Sequence, residues 1–287
     1  MKSRIRITTA AALALFAATA LPSHAPAQSG VRQYSRQTSI GGRLPVSVIL
    51  VGYTKDASDI EKLFDIVLAR ANGIYAKLDG SNPSSETARI AAGGEVATSP
   101  EVTAAFDAIR KVCEWTKGAF DVVSEGSGSC RDIRVGKSSV TFKGSGARFD
   151  LSPIMNGFMA EMISKLIYTA GMKHVIVKVG YVFRGYGQGM GVPWKVQIQD
   201  DAGTFARHAL NLTVINTGIA TVSASQYRGT ASGCRGVVAV MNDAALAEGV
   251  AYAAFRLGPG DGFKLLSKVA KGLVVDGNGK FMRTPGF

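Results

Sequence analysis

The chain has 287 residues, 46% of them hydrophobic and 19% charged, with a formal net charge of +12. That is long and apolar enough to bury one or two cores, and it excludes an intrinsically disordered chain, a collagen and a coiled coil. The basic excess is spread thinly, with neither a Lys/Arg run nor interleaved aromatics, so nucleic acid is not an expected partner; a solvated basic surface or an anionic ligand accounts for the charge.

At the N-terminus Lys2, Arg4 and Arg6 precede the apolar run Ile7 to Leu21, and the small-residue triplet Ala25-Pro26-Ala27 follows. This is the pattern of a secretory signal peptide over residues 1–27, cut after Ala27. The alternative, an uncleaved anchor, needs about 20 apolar residues and a stop-transfer pattern, and this run is shorter. No cysteine near the cut could carry a lipid. The expected mature chain, residues 28–287, is periplasmic or otherwise exported, soluble, and without a transmembrane segment. Its three cysteines, Cys113, Cys130 and Cys234, then meet an oxidising compartment. None forms a CxxC or CxxCH, which leaves zinc and c-type haem unsupported and makes one disulfide plus one buried thiol the expected arrangement. Cys113, in a helical pattern, reads as the thiol; Cys130 and Cys234, in Gly/Ser-rich loops, read as the pair.

Val46 to Tyr53 is a β-branched run that reads as a strand. Ser58 to Glu61 has capping-box spacing and opens a helix with Ile60, Leu63, Phe64, Val67, Leu68, Ala71, Ile74 and Tyr75 on one stripe. Asp79 to Pro83 is a loop. Ser99-Pro100-Glu101 supplies an N-cap, an N1 proline and a first-turn acid for a helix that buries Val102, Phe106, Ile109 and Cys113 and stops at Gly118. Glu125 to Gly146 is a Gly/Ser-rich connector, read as a β-ribbon with a strand at Ser139 to Phe142. A methionine-rich helix spans Ile154 to Ala170, with strands expected at His174 to Gly180, Trp194 to Gln199 and Gly236 to Met241. Asn242 or Asp243 caps a helix that reaches Leu257 and breaks at Gly258-Pro259, with a further turn set at Gly262 to Val269. Leu273 to Met282 is a hairpin around Gly277-Asn278-Gly279. Strands and helices alternate without a clean linker, so the chain reads as one compact α/β (mixed α+β) unit of mixed sheets flanked by helices.

Generic catalytic motifs are absent: there is no GxSxG, P-loop or HExxH. Of the two histidines beyond the leader, His174 at a strand start reads as structural and His208 as solvent-facing. The glycine-rich stretch Gly180 to Gly189 has amides that could approach an anion, yet a strand follows it, so a β-turn is the favoured reading over a phosphate loop. Asp121, Asp150 and Glu248 come from separate segments. Their carboxylates either converge on a hard cation such as Mg²⁺ or serve as ordinary helix-dipole partners.

Taken in order, several stretches resemble the ApbE-type FAD:protein FMN transferase family, formerly called thiamine biosynthesis lipoproteins. They are Asn82-Pro83-Ser84-Ser85-Glu86, Gly118-Ala119-Phe120-Asp121, Phe149-Asp150-Leu151-Ser152, Gly171 to Val175, Pro193 to Asp200, Ala244 to Glu248 and Arg283 to Phe287. The resemblance implies an exported protein that binds FAD, uses Mg²⁺ to split its pyrophosphate, and passes FMN to a Ser or Thr of an exported redox protein. It implies that Ala119, Phe120, Asp121 and Asp150 help hold FAD, and that the Pro153 carbonyl and the Glu248 carboxylate hold the metal. No catalytic residue is assigned.

The departures from the family pattern fall at the chemistry. Asn156 stands where the family has a lysine, Glu248 where it has an aspartate, and Tyr252 where it has a threonine. The Gly-Gly-Asp turn becomes Gly180-Tyr181-Val182, and a His-x-x-Asp-Pro-x-Thr-Gly segment expected between Tyr227 and Val237 is missing. The connector after Asp121 is also short, and a Cys130–Cys234 bridge across the two trimmed places would close the gap. The resemblance therefore implies a flavin-binding relative with impaired transfer. A non-catalytic periplasmic module that binds FAD or a partner protein is the alternative, and a basic protein steering an acidic partner rests on charge alone.

Overall fold

The computed structural model describes residues 30–200, 203–205, 210–227 and 233–287. The leader, His208 and most of the interval after Tyr227 lie outside them.

Among the described residues, sixteen strands and five α-helices alternate. The first half runs β1 (Val31–Ile40), β2 (Leu44–Tyr53), α1 (Ala57–Leu78), α2 (Glu86–Ala91), β3 (Gly94–Ala97), α3 (Pro100–Trp115), β4 (Val123–Glu125), β5 (Ile133–Val135), β6 (Ser139–Phe142) and β7 (Arg148–Phe149). The second half runs α4 (Ser152–Thr169), β8 (Val175–Val179), β9 (Val182–Tyr186), β10 (Gln188–Gly189), β11 (Val192–Gln197), β12 (Asn211–Val214), β13 (Gly218–Ser223), β14 (Cys234–Met241), α5 (Ala244–Val269), β15 (Lys271–Asp276) and β16 (Phe281–Arg283).

Eight strands form the central sheet in the order β1-β2-β8-β9-β13-β14-β15-β16. Each neighbouring pair in it is antiparallel. Side chains alternate across its two faces. Val46, Val48 and Leu50 of β2, Ala220 and Val222 of β13, and Val237 and Ala239 of β14 face the helices. Ile219, Val238, Leu273 and Val275 face a second core closed by Trp194, Val196 and Val214 of the small β10-β11-β12 sheet. With both faces covered, β13 is buried at all six positions and reads as a continuous run rather than an alternation.

Two helices lie on the first face. α4 is apolar nearly all round, with Ile154, Met155, Phe158, Met159 and Ile163 buried, as expected of a helix packed between a sheet and further helices. α5 uses small residues, Ala244, Ala245, Ala247, Gly249, Ala251, Ala253 and Ala254, to approach its neighbours closely. Its one break is at Gly258, with φ 82° and ψ 174°, a conformation essentially reserved for glycine, followed by Pro259. α1 and α3 close the outer side of the same core through Phe64, Val67, Phe106 and Ile109.

The expected elements are in place, with shifted ends. The capping box at Ser58 is not used: α1 starts at Ala57 and its N-cap Asp56 makes no side-chain cap. Ser99 does precede α3 and Pro100 opens it, but the Ser99 hydroxyl and N–H both donate to the Glu86 carboxylate instead of capping the helix. Asp243 does cap α5, accepting from the Leu246 N–H at 2.9 Å. The glycine-rich stretch after His174 is the β8–β9 hairpin rather than a phosphate loop. The cysteine pairing needs correction: the disulfide joins Cys113 to Cys130, with Cα atoms 6.0 Å apart, and Cys234 is the buried thiol, so Cys130–Cys234 does not form. Cys113 lies in the last turn of α3 and Cys130 opens a 3-10 turn packed against that helix, a proximity the loop composition does not reveal.

Candidate functional site

The chain after α3 turns back on itself. Gly118, at φ 82°, donates its N–H to the Cys113 carbonyl and ends the helix, as a glycine past a helix end does. The guanidinium of Arg131 lies against it and donates to the Lys117 carbonyl, in space a Cβ on Gly118 would fill. Ala119 and Phe120 follow. Phe120 is fully buried beneath α5, while the Ala119 carbonyl accepts from Arg256 of α5 at 3.2 Å.

Asp121 is half-buried. Its Oδ1 accepts two backbone N–H groups, from Val123 at 2.9 Å and from Cys130 at 3.0 Å. Asp150 reaches the same lip because its N–H donates to the Val122 carbonyl at 2.8 Å and β4 pairs with β7 beside it. Asp150 is exposed, and its Oδ1 accepts from the Ser152 N–H at the start of α4. Each carboxylate thus has one oxygen fixed by backbone and makes no further hydrogen bond with the described residues through the other. Three of the expected positions, Ala119, Asp121 and Asp150, therefore lie along one lip, with Phe120 buried beneath it. Gly80 presses on it from the Asp79–Pro83 loop, where a Cβ would meet the Phe149 carbonyl at 2.4 Å.

Pro153 lies in the first turn of α4, and Glu248 of α5 reaches that helix at Asn156 and Gly157. The α4–α5 crossing is tight: a Cβ on Gly157 would lie 2.3 Å from the Ala244 carbonyl. Glu248 is 5% exposed. Its Oε1 accepts from Asn156 Nδ2 at 2.8 Å and its Oε2 from the Gly157 N–H at 2.7 Å. In a regular α-helix the Gly157 N–H is the donor to the Pro153 carbonyl, so Glu248 engages the amide that faces the second expected metal position. Burial pushes the Glu248 carboxyl up to about 7, against the opposing pull of the Gly157 and Asn156 donors. Gly180, at φ 54°, closes over Asn156, where a Cβ would come within 2.9 Å of Oδ1. Tyr252, one turn after Glu248, packs its ring on Tyr227 with centroids 4.9 Å apart, and Tyr227 also stacks on Phe255.

This donor set does not match what a hard divalent ion needs. Mg²⁺ takes six oxygen ligands at near-ideal octahedral angles, with carboxylates presenting unshared electron pairs. Here both Glu248 oxygens accept from N–H donors, the other acid between the two helices, Glu161, is held by the Ala244 N–H and by Arg184, and no group of three or more His, Cys, Asp or Glu that could hold a metal occurs among the described residues.

Sequence reading missed three contributors. Asn156 signals only as a departure from the resembled pattern, and its amide turns out to hold Glu248. Arg131 and Arg256 place two cations at the lip through backbone carbonyls. Arg256 is 137 residues from Ala119, a contact no local pattern carries. His174 is structural as expected, its Nδ1 accepting from the Gln188 N–H at 2.9 Å. A separate groove of about 660 Å³, between Leu212, Ile219, Val240, Leu246, Lys271 and Phe287, includes none of the candidate residues.

A family model described as the ApbE family matches residues 126–275. The apo form of the flavinyl transferase ApbE from Pseudomonas stutzeri is similar over 90% of this chain and 96% of its own, with a TM-score of 0.72 and 16% identity. A mutant of the flavin transferase ApbE from Vibrio cholerae gives a TM-score of 0.74 and 15% identity over 89% of this chain and 98% of its own. An ApbE protein from Thermotoga maritima gives 0.71 and 18%, over 88% and 97%. At such identities the solved structures establish the shared fold. No curated protein matches.

Proposed function

The chain belongs to the ApbE family, and from that premise we propose that it is an exported flavin-binding protein that holds FAD at the Ala119–Asp121 and Asp150 lip, with the family's FMN transfer weakened or lost. The solved relatives are named flavin or flavinyl transferases, and this chain shares their fold over 89–90% of its length. The lip suits FAD chemically. The outward oxygens of Asp121 and Asp150 are acceptors for the ligand's hydroxyl and amine donors, and Arg131 and Arg256 supply positive charge for its diphosphate. Where the family reaction runs, a divalent ion would neutralise charge developing on the phosphates.

The observation that carries the loss of transfer is the engagement of both Glu248 oxygens by Asn156 and Gly157. Each Glu248 oxygen already accepts one N–H, and burial lifts the carboxyl to about 7, so a cation there would compete with Asn156, with Gly157 and with a proton. Export rests on the residue 1–27 leader pattern and is supported by a disulfide in the chain. Among the described residues no helix is long and apolar enough to cross a membrane.

The test is FAD titration of the mature protein with and without Mg²⁺, with AMP release assayed in the same samples. Saturable FAD binding that does not require Mg²⁺, with no Mg²⁺-dependent AMP, is the expected result. Mg²⁺-dependent AMP would mean a working transferase with a rebuilt site; no FAD binding would leave the non-catalytic scaffold. Asp121→Ala and Asp150→Ala should each weaken FAD by about tenfold through one lost charge-assisted hydrogen bond. Unchanged affinity in both folded variants would place the flavin elsewhere.

A further inference from the structure

The Cys113–Cys130 bridge closes a short stretch of chain, 17 residues in sequence separation, that contains Ala119, Phe120 and Asp121. Its two ends differ in character. Cys113 is anchored in α3, 3% exposed among Val112, Ile109 and Phe106. Cys130 opens a single 3-10 turn at the end of a Gly/Ser-rich loop, Gly126 to Ser129, where Gly126 and Gly128 sit at φ 83° and 100°. Gly126 to Ser129 carry no apolar side chain; Ser127 bonds Ser145, the Asp132 carbonyl accepts from the Lys143 N–H, and Cys130 is 1% exposed, so the bridge is the one covalent tie among these contacts that joins the turn to α3. The turn's own cap, Ser129 with Asp132, fixes its internal shape.

The Cys130 N–H is one of the two donors that orient Asp121, and the other, Val123, is a near neighbour of Asp121 in sequence. The Val123 contact is a local turn that survives any displacement of the loop. The Cys130 contact spans nine residues and exists only while the 3-10 turn is held against α3. We propose that the Cys113–Cys130 disulfide is a positioning bond for the flavin lip: it keeps the Cys130 N–H on Asp121 Oδ1 and so aims the other Asp121 oxygen at the ligand. This rests on the flavin-binding reading above and names the covalent link that makes its site rigid. Loss of the bridge would leave Asp121 on one donor, free to rotate about its side-chain torsions, and would raise the ordering cost of binding.

The test is a double-mutant cycle on FAD affinity, measured by fluorescence titration of the mature protein. Its corners are the parent, Cys113→Ala with Cys130→Ala, Asp121→Ala, and the three substitutions together. Near-UV circular dichroism checks that each corner is folded. The expected result is about a tenfold loss of affinity on removing the bridge in the parent and little further loss in the Asp121→Ala background, because the bridge acts through Asp121. A purely structural staple would lower the melting temperature in both backgrounds alike and leave the cycle additive, which overturns the proposal. Parent affinity in the folded bridge-less protein overturns it as well. Should the double alanine variant not fold, the parent treated with a water-soluble phosphine replaces it. The phosphine takes up oxygen from water as the disulfide gains two electrons and two protons to become two thiols, and the same comparison is made with Asp121→Ala treated alike. A parent that binds no FAD removes the flavin-binding reading itself, and this proposal with it, whereas binding by the parent with an additive cycle removes only the proposal.

Discussion

At the residue scale the molecule turns on Glu248. Its carboxyl is buried, and burial raises its pKa from the ordinary 4.5 to about 7. The folded protein therefore binds a proton there that the unfolded chain has released between those two values. The stability this contributes is fully present below pH 4.5 and is lost as pH rises through about 7, on the order of 3 kcal/mol over the whole span. Glu248→Gln removes the titrating proton but keeps the shape. The parent should lose stability relative to the variant steadily from pH 5 to pH 8, as read from urea midpoints at each pH. Parallel pH profiles for the two proteins would put the Glu248 carboxyl at its ordinary value and remove the argument that burial raises it. Sequence reading reached Glu248, Asp121 and Asp150 by order and resemblance, and their placement on the lip and at the crossing follows from β4–β7 pairing and from α5. It could not reach the partners. Asn156 to Glu248 is a contact over 92 residues, and the Cys113–Cys130 pair depends on which loop folds back on which helix end.

At the element scale the legible parts are those with a strong local period. α1 shows its stripe as Ile60, Phe64, Val67, Leu68, Ala71 and Ile74, all buried. Asp243 announces α5, and the β15–β16 hairpin follows its turn glycines. β1 was illegible for a physical reason. It is an edge strand whose ten residues bury only Tyr34 and Ile40, so Arg32, Gln33, Ser35 and Arg36 mask any alternation. The short α2, capped by Ser85 accepting from the Ala88 N–H, spans six residues, too few to show a helical period. Helix glycines make the contrast between local and tertiary demands measurable. Gly73, in α1, has nothing within 4 Å of a built Cβ, so Gly73→Ala should stabilise by about 0.5–1 kcal/mol through helix propensity alone. Gly157, in α4, would drive a Cβ into the Ala244 backbone, so Gly157→Ala should cost about 2 kcal/mol or more by forcing the two helices apart. Thermal melts of the two variants should therefore move in opposite directions. A neutral Gly157→Ala would mean that the α4–α5 crossing is looser than the close approach of Gly157 to Ala244 requires.

At the scale of the whole molecule, the leader and the disulfide make one argument. A bridge between α3 and the 3-10 turn forms only where the chain meets an oxidant, and the proposed leader over residues 1–27 would deliver it there. The full chain produced with export should therefore begin at Gln28 by intact mass and present one titratable thiol, that of Cys234, after denaturation. The same chain started at residue 28 and made in a reducing cytoplasm should present three. Closing a loop of this length restricts the unfolded chain by about 3 kcal/mol, so the cytoplasmic form should melt about 10 °C lower than the exported form. Oxidation in vitro should abolish the difference if the loop already lies against α3 when reduced. Three thiols in the exported protein would mean that the compartment inferred from the leader and the bridge found in the fold do not belong together. One thiol with the leader retained would mean that oxidation takes place while residues 1–27 remain attached, so the bridge would report the compartment without reporting cleavage.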